Sequence, residues 1–297
     1  MKVILIGLGA MGRRHHTTLT RNEAVEEIVT VDPNPQLSAQ YLSTPPALEG
    51  HEFDFGVIAS PTSFHEESAS FLLNAGLSVL IEKPVAKTVT AAQRIAALAE
   101  SNGCKVAVGH IERFNPAITA LMEDLSESPR AVTLKRVSPY PQRITDVGVA
   151  LDLSIHDVDL VRYITAAEVI SSKAVLQNNR NKCEDTAMYL LELDNGGSGL
   201  IHTSWMSPRR QRSAEVTTSE AVYDVDMLRQ QTVKYTNVPE AGHGVTSLFI
   251  NRDDQLAAQL KSFIEYVQTG DQGNLCLLKD GTRALAIVEA SLNEGLH

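Results

Sequence analysis

Three groups of residues in this chain have the type and spacing to do chemistry. Gly7, Gly9 and Gly12 make a G-x-G-x-x-G turn directly after the apolar run "KVILI". Glu82, Lys83 and Pro84 close a second apolar run, "LSVLI", putting charges where a buried strand would end. Asp152 and His156 lie four residues apart in "VALDLSIHDVDLVRYI", with Asp159 three further on. The first pattern suits a pyrophosphate, and the other two suit proton transfer by lysine or by an imidazole that a carboxylate orients.

Each part of the glycine turn has a physical job. Gly7 permits the tight turn, Gly9 lets the backbone approach a pyrophosphate, and Gly12 lets the following helix pack close on the strand. Ala10, Met11 and Gly12 open that helix, whose unpaired N–H groups and partial positive charge face the phosphates. The next apolar run, "EEIVTVD", ends at Asp32, placed to accept hydrogen bonds from the adenosine ribose. Pro33, Asn34 and Pro35 follow it, with no arginine. A 2′-phosphate would meet a carboxylate without a cation, which favours NAD over NADP.

Strands and helices then alternate. "DFGVIAS", "LSVLIEKP" and "KVAVGH" read as strands, with helices between them that stop at Gly76 and Gly103. This alternation predicts a parallel, doubly wound α/β Rossmann domain over 1–115. Parallel crossovers run the strands one way, so Ser60, Pro61, Thr62, Glu82, Lys83 and His110 surface at the edge of the glycine turn, where such sheets bind ligands. Ser60, Pro61, Thr62, His65, Glu82 and Lys83 are therefore candidates to line the cofactor crevice, with His65 read as structural rather than catalytic. Beyond residue 115, β-like runs follow one another, separated by turns such as Asp194–Gly197. They predict an α+β domain over 116–280 built on an open antiparallel sheet, with a last helix over 281–297 packing back on the first domain.

Bulk properties exclude several classes. A formal charge of −10 and the lack of a Lys/Arg run argue against nucleic acid. No segment approaches the apolar length of a membrane span, and the N-terminal apolar run is too short and broken for a signal peptide. Cys104, Cys183 and Cys276 are far apart and odd in number, which fits a reducing cytoplasm. No His, Cys, Asp and Glu set has metal-ligand spacing, so no metal is expected.

Taken by spacing alone, Asp152, His156 and Asp159 at i, i+4 and i+7 fall on one helical face. They read either as a tuned acid–imidazole pair or as a solvated face. The order of motifs adds to this: the glycine turn with His15, Pro61-Thr62 with His65, "EKP" and "DLSIHDVDL". In that order they resemble the glucose–fructose oxidoreductase / inositol dehydrogenase / rhizopine catabolism family nearly end to end. The resemblance implies that Lys83, Asp152 and His156 line a substrate pocket over the nicotinamide. It also implies dimer or tetramer contacts through the open sheet. Within the family, "VGHIERFNPA" and "PYPQRITDVGVALDLSIHD" are most similar to UDP-N-acetylglucosamine 3-dehydrogenases and their uronate relatives.

Arginine forks suit a nucleotide-sugar diphosphate, and "SPRRQR" offers Arg209, Arg210 and Arg212, with Arg143 on similar terms. A basic surface turn is the competing reading. The expected reaction is hydride transfer between a sugar or nucleotide-sugar secondary alcohol and nicotinamide, with either His156 or Lys83 taking the proton. A free-polyol dehydrogenase and a non-catalytic NAD-binding sensor are the alternatives.

Overall fold

The computed structural model describes residues 1–141, 147–180, 183–238 and 242–294. The first alternating stretch is β1 (Lys2–Ile6), α1 (Ala10–Thr20), β2 (Glu27–Val31), α2 (Thr44–Leu48), β3 (Phe55–Ile58), α3 (His65–Asn74), β4 (Ser78–Ile81), α4 (Val89–Ser101) and β5 (Val106–Val108). Then come α5 (Pro116–Asp124), β6 (Ala131–Val137), α6 (Ile155–Thr165), β7 (Val169–Gln177), β8 (Thr186–Leu193) and β9 (Ser198–Ser204). The strands β10 (Gln211–Thr217), β11 (Ala221–Asp226), β12 (Gln231–Val238) and β13 (Gly242–Ser247) follow, and the chain closes with α7 (Gln255–Thr269), β14 (Cys276–Leu277) and α8 (Leu278–Asn293).

Two compact units result: residues 1–111 with 254–285, and 112–253 with the C-terminal segment from 286. This corrects the expected boundaries. α7 and β14 belong with the first sheet rather than the second, because β14 pairs antiparallel with β5 and Phe263 of α7 meets Phe55 edge-on at 5.4 Å. The end of α8 joins the second unit, where the Ser291 and Tyr189 hydroxyls hydrogen-bond at 2.9 Å.

The first sheet has the order β14-β5-β4-β3-β1-β2, all parallel except β14. Its strands β1, β3 and β4 are buried almost throughout, as a sheet covered on both faces requires. Two helix starts carry side-chain caps that bear on this sheet: at α4 the Thr88 hydroxyl accepts from Ala91 N–H, and at α7 the Asp254 carboxylate accepts from Leu256 and Ala257 N–H.

The second sheet has the order β13-β12-β11-β10-β6-β9-β8-β7. It is not wholly antiparallel as expected, since β6 and β9 run parallel in its middle. Burial alternates along β8, Ala187, Tyr189, Leu191 and Leu193 being inside. α6 is buried almost throughout, and Gly199 of β9 lets it approach: a Cβ there would stand 2.9 Å from Val161. Among the described residues, no helix is long and apolar enough to cross a membrane.

Replacing Asp254 by Ala removes the side-chain acceptor at the start of α7. Denaturant unfolding should show a loss of about 1 kcal/mol without a change in NADH affinity.

Candidate active site

At the carboxyl edge of the first sheet the parallel ladder runs past the strands. Gly7 donates to Val31 O at 2.8 Å, Ala59 to Ile6 O at 2.8 Å, Glu82 to Ile58 O at 2.9 Å and Gly109 to Ile81 O at 2.7 Å. Four loops are thereby held at one edge, as the alternation predicted. The three glycines divide by what surrounds them. Gly7 has φ +93°, and a Cβ on it would meet Ser60 N at 2.5 Å; one on Gly12 would meet Gly7 O at 1.9 Å. The fold itself needs these two. A Cβ on Gly9 meets nothing within 4 Å, and Gly9 and Ala10 are exposed.

No side chain caps α1. Among the described residues, the buried Ser60 Oγ has no hydrogen-bond partner. An open glycine, an uncapped helix start and an orphan hydroxyl on one edge fit a dinucleotide, whose phosphates would meet Gly9, Ala10, Met11 and Gly12. Asp32 ends β2 beside them. Its carboxylate accepts from Leu8 N–H at 2.7 Å and Asn34 N–H at 2.9 Å. It thus ties the glycine turn to β2, with lone pairs left for a ribose hydroxyl.

The residues after β3 and β4 do something the sequence did not reveal. His65 is buried, and its ring nitrogens sit 2.9 Å from Ser60 O and 2.9 Å from Pro84 O. Burial pushes its pKa below the usual imidazole value, against the pull of the two carbonyls and Glu82. The carbonyls compete for one N–H on the neutral ring and share two when it is protonated. Glu82 is buried too. His15 of α1 donates Nε2–H to its Oε1 at 2.8 Å, and Lys83 N–H points at its Oε2 at 3.3 Å. Burial alone would raise the Glu82 carboxyl, but the His15 hydrogen bond and charge, with Lys83, hold it below the usual carboxylate range. His65 and Glu82, expected to line the cofactor, are thus turned to protein groups, while Lys83 is half-buried and Pro61 and Thr62 lie in the turn.

In the second unit Asp152 lies in a π turn, Ala150–Ser154, that runs into α6. Glu184 sets its start, accepting Ala150 N–H on Oε1 at 3.1 Å and Val149 N–H on its carbonyl at 2.9 Å. Gly148 makes room, since a Cβ there would stand 2.0 Å from that carboxylate. Burial raises the Glu184 pKa. His156 is buried, one residue into α6.

Asp159, the third residue of that spacing, is taken up in an ion pair. It grips Arg113 through two hydrogen bonds of 2.8 and 2.7 Å, both residues buried. Arg212 is likewise removed from the phosphate candidates, because it is paired with Glu112, which also takes Arg136 at 2.9 Å. Arg136 in turn holds Asp157. Arg209 and Arg210 are exposed after β9. Trp205 N–H, at the start of their loop, donates to Asp185 O at 2.8 Å, so the adjacent pair Glu184–Asp185 anchors both this loop and the Asp152 turn. Arg143 lies outside the described residues.

Comparison with known proteins decides what this frame is. Residues 1–110 match the oxidoreductase family model with an NAD-binding Rossmann fold, and 129–224 match the GFO/IDH/MocA C-terminal domain. The chain belongs to the GFO/IDH/MocA oxidoreductase family. It is 27% identical over 280 residues to UDP-N-acetylglucosamine 3-dehydrogenase of Acidithiobacillus ferrooxidans, covering 90% of this chain and 88% of that one. The solved structure of that enzyme superposes with a TM-score of 0.89, over 98% of this chain and 96% of that one. scyllo-Inositol 2-dehydrogenase (NAD(+)) of Bacillus subtilis is 25% identical over 297 residues, covering 91% and 87%.

This GFO/IDH/MocA chain is a dehydrogenase with an NAD-binding Rossmann domain. Its glycines make separable predictions. Gly9→Ala should weaken NADH binding and leave thermal unfolding unchanged. Gly12→Ala should lower the unfolding midpoint by several degrees, because its Cβ meets backbone that cannot move aside. NADH fluorescence titration and calorimetry on the two variants check this.

Proposed function

We propose that the protein oxidises a secondary alcohol of a nucleotide-sugar, C3 of UDP-N-acetylglucosamine being the first candidate, with NAD as acceptor. The observation that carries this reading is the placement of Lys83 at the carboxyl edge of the parallel sheet, the same edge as the open glycine turn and two strands along from it. The A. ferrooxidans relative and the exposed Arg209 and Arg210 support a nucleotide-sugar. The B. subtilis relative supports a free cyclitol as the second reading.

Bound nicotinamide supplies the hydride acceptor. The chain must bind the sugar, move one proton and stabilise a developing alkoxide. In one division of labour His156 takes the hydroxyl proton while the Lys83 ammonium donates to the oxygen. In the other, Lys83 is the base. Asp152, four residues before His156 in sequence, orients that imidazole. Asp32 favours NAD over NADP, because a 2′-phosphate would approach a carboxylate already set in the turn. Three cysteines, odd in number and far apart in sequence, support a reducing cytoplasm as the compartment.

NADH formation should be followed against UDP-N-acetylglucosamine, other UDP-sugars, inositols and free hexoses, with NAD and with NADP. Turnover of a UDP-sugar with NAD is the expected result; turnover of inositol alone would replace it by the cyclitol reading. His156→Asn should keep NADH affinity while turnover falls roughly 10²–10⁴-fold, and a near-normal rate would remove His156 from the chemistry.

The second sheet supports a homo-oligomer. Met188 and Leu190 of β8 stand opposite His202 and Leu200 of β9, and Val175 of β7 opposite Met188. The four apolar side chains, Val175, Met188, Leu190 and Leu200, are exposed on one face. We propose a dimer or tetramer through this face. Light scattering should show Leu190→Glu with Leu200→Glu shifting the protein to monomer.

A further inference from the structure

Lys83 is held from both sides by groups that do no chemistry in the proposed reaction. On its N-terminal side, Glu82 N–H is fixed to Ile58 O, and the Glu82 carboxylate turns back to Lys83 N–H at 3.3 Å. That carboxylate is itself fixed by His15 of α1 at 2.8 Å, and it fills the space beside Gly109 after β5, where a Cβ would stand 3.0 Å from it. On the C-terminal side, Pro84 O meets His65 Nδ1 at 2.9 Å, and the same ring reaches Ser60 O after β3 at 2.9 Å. His15, His65 and Glu82 are all buried. The Lys83 Cα therefore sits between two anchored points that connect to β3, β4, β5 and α1.

We propose that His65 and the His15–Glu82 pair are positioning residues that together clamp the Lys83 backbone and so aim its ammonium for the transfer step. The reasoning is mechanical. The ammonium rides at the end of a four-carbon stem, so a small rotation of the Lys83 backbone becomes a large displacement of the charge. Misplacing a reacting group by about 1 Å costs on the order of 10²-fold in rate. The clamp bonds to the Ser60 carbonyl and to the body of α1, not to the Gly9 backbone, so its loss should fall on kcat far more than on dinucleotide affinity. This inference rests on the reading of Lys83 as a group that acts on the reacting alcohol.

A double-mutant cycle on the full chain tests it, with the panel substrate of highest turnover. Lys83→Met alone tests the reading. His65→Leu removes both carbonyl contacts and should lower kcat on the order of 10²-fold, with NADH affinity within about threefold and with KM little changed. His65→Gln, which can still donate to one carbonyl, should recover part of the rate. The decisive expectation is non-additivity: in a Lys83→Met background, His65→Leu should cost almost nothing more, because the group it aims is gone. If His65→Leu does not fold, Glu82→Gln, which keeps the shape and removes the charge, carries the same cycle. Equal losses with and without the lysine would overturn the clamp and leave the reading of Lys83 standing. A kcat unchanged in Lys83→Met, or no turnover of any panel member, would overturn that reading and the clamp with it.

Discussion

A carboxylate buried at the end of a parallel strand has to be answered by a partner within the protein, or burial would neutralise it. Glu82 is that carboxylate and His15 the partner, from the helix that begins at the glycine turn. The pair explains why a buried strand can close on Glu-Lys-Pro. The acid faces inward and is satisfied by an imidazole and a backbone N–H, leaving the lysine half-buried at the edge. Because His15 lies one turn beyond Gly12, the phosphate-facing end of α1 and the lysine-bearing end of β4 are parts of one hydrogen-bonded assembly.

The second unit solves a similar problem with more charge. Glu112 lies between Arg136 and Arg212, Arg136 also holds Asp157, and Arg113 forks onto Asp159. Buried pairs of this kind add little net stability over an apolar core, but removing one member leaves an uncompensated charge. They therefore pin α6 against its surroundings at two successive acids, Asp157 and Asp159. His156, which precedes Asp157, inherits a fixed place from that pinning. The π turn ahead of it takes its own fixed start from Glu184.

The sequence made the first sheet legible because its signals are local: a glycine spacing, apolar runs and helix stops. Gly7 and Gly12 stand where a Cβ would meet backbone, as a tight turn and a close-packed helix require, and Gly9 stands open. What failed was long-range. Asp159 and Arg212 have the right residue types for a site, but spacing cannot reveal that Arg113 and Glu112 claim them. Side-chain alternation is the same in parallel and antiparallel strands, so the β6–β9 pairing was invisible. β14 has two residues and β13, "GHGVTS", no apolar alternation, so neither gave a pattern to read. The buried face of α1 is Gly12, His15 and Leu19, which hides its orientation from any hydrophobic period. The long-range partners of the two buried histidines left no local trace, since Pro84 O and the Glu82 carboxylate lie 19 and 67 residues from His65 and His15.

The strand order of the first sheet also bears on how the chain is made. β14 and α7 complete the nucleotide-binding unit, yet they follow residues 112–253, the larger part of the second unit, in sequence. A ribosome delivers the chain from its N-terminus. The nascent Rossmann segment therefore emerges with the β5 edge unpaired and Phe55 without its Phe263 contact, and waits through residues 112–253 before either is supplied. An unpaired strand edge is a template for wrong partners. During synthesis the chain has reason to engage a chaperone until residues 254–285 arrive.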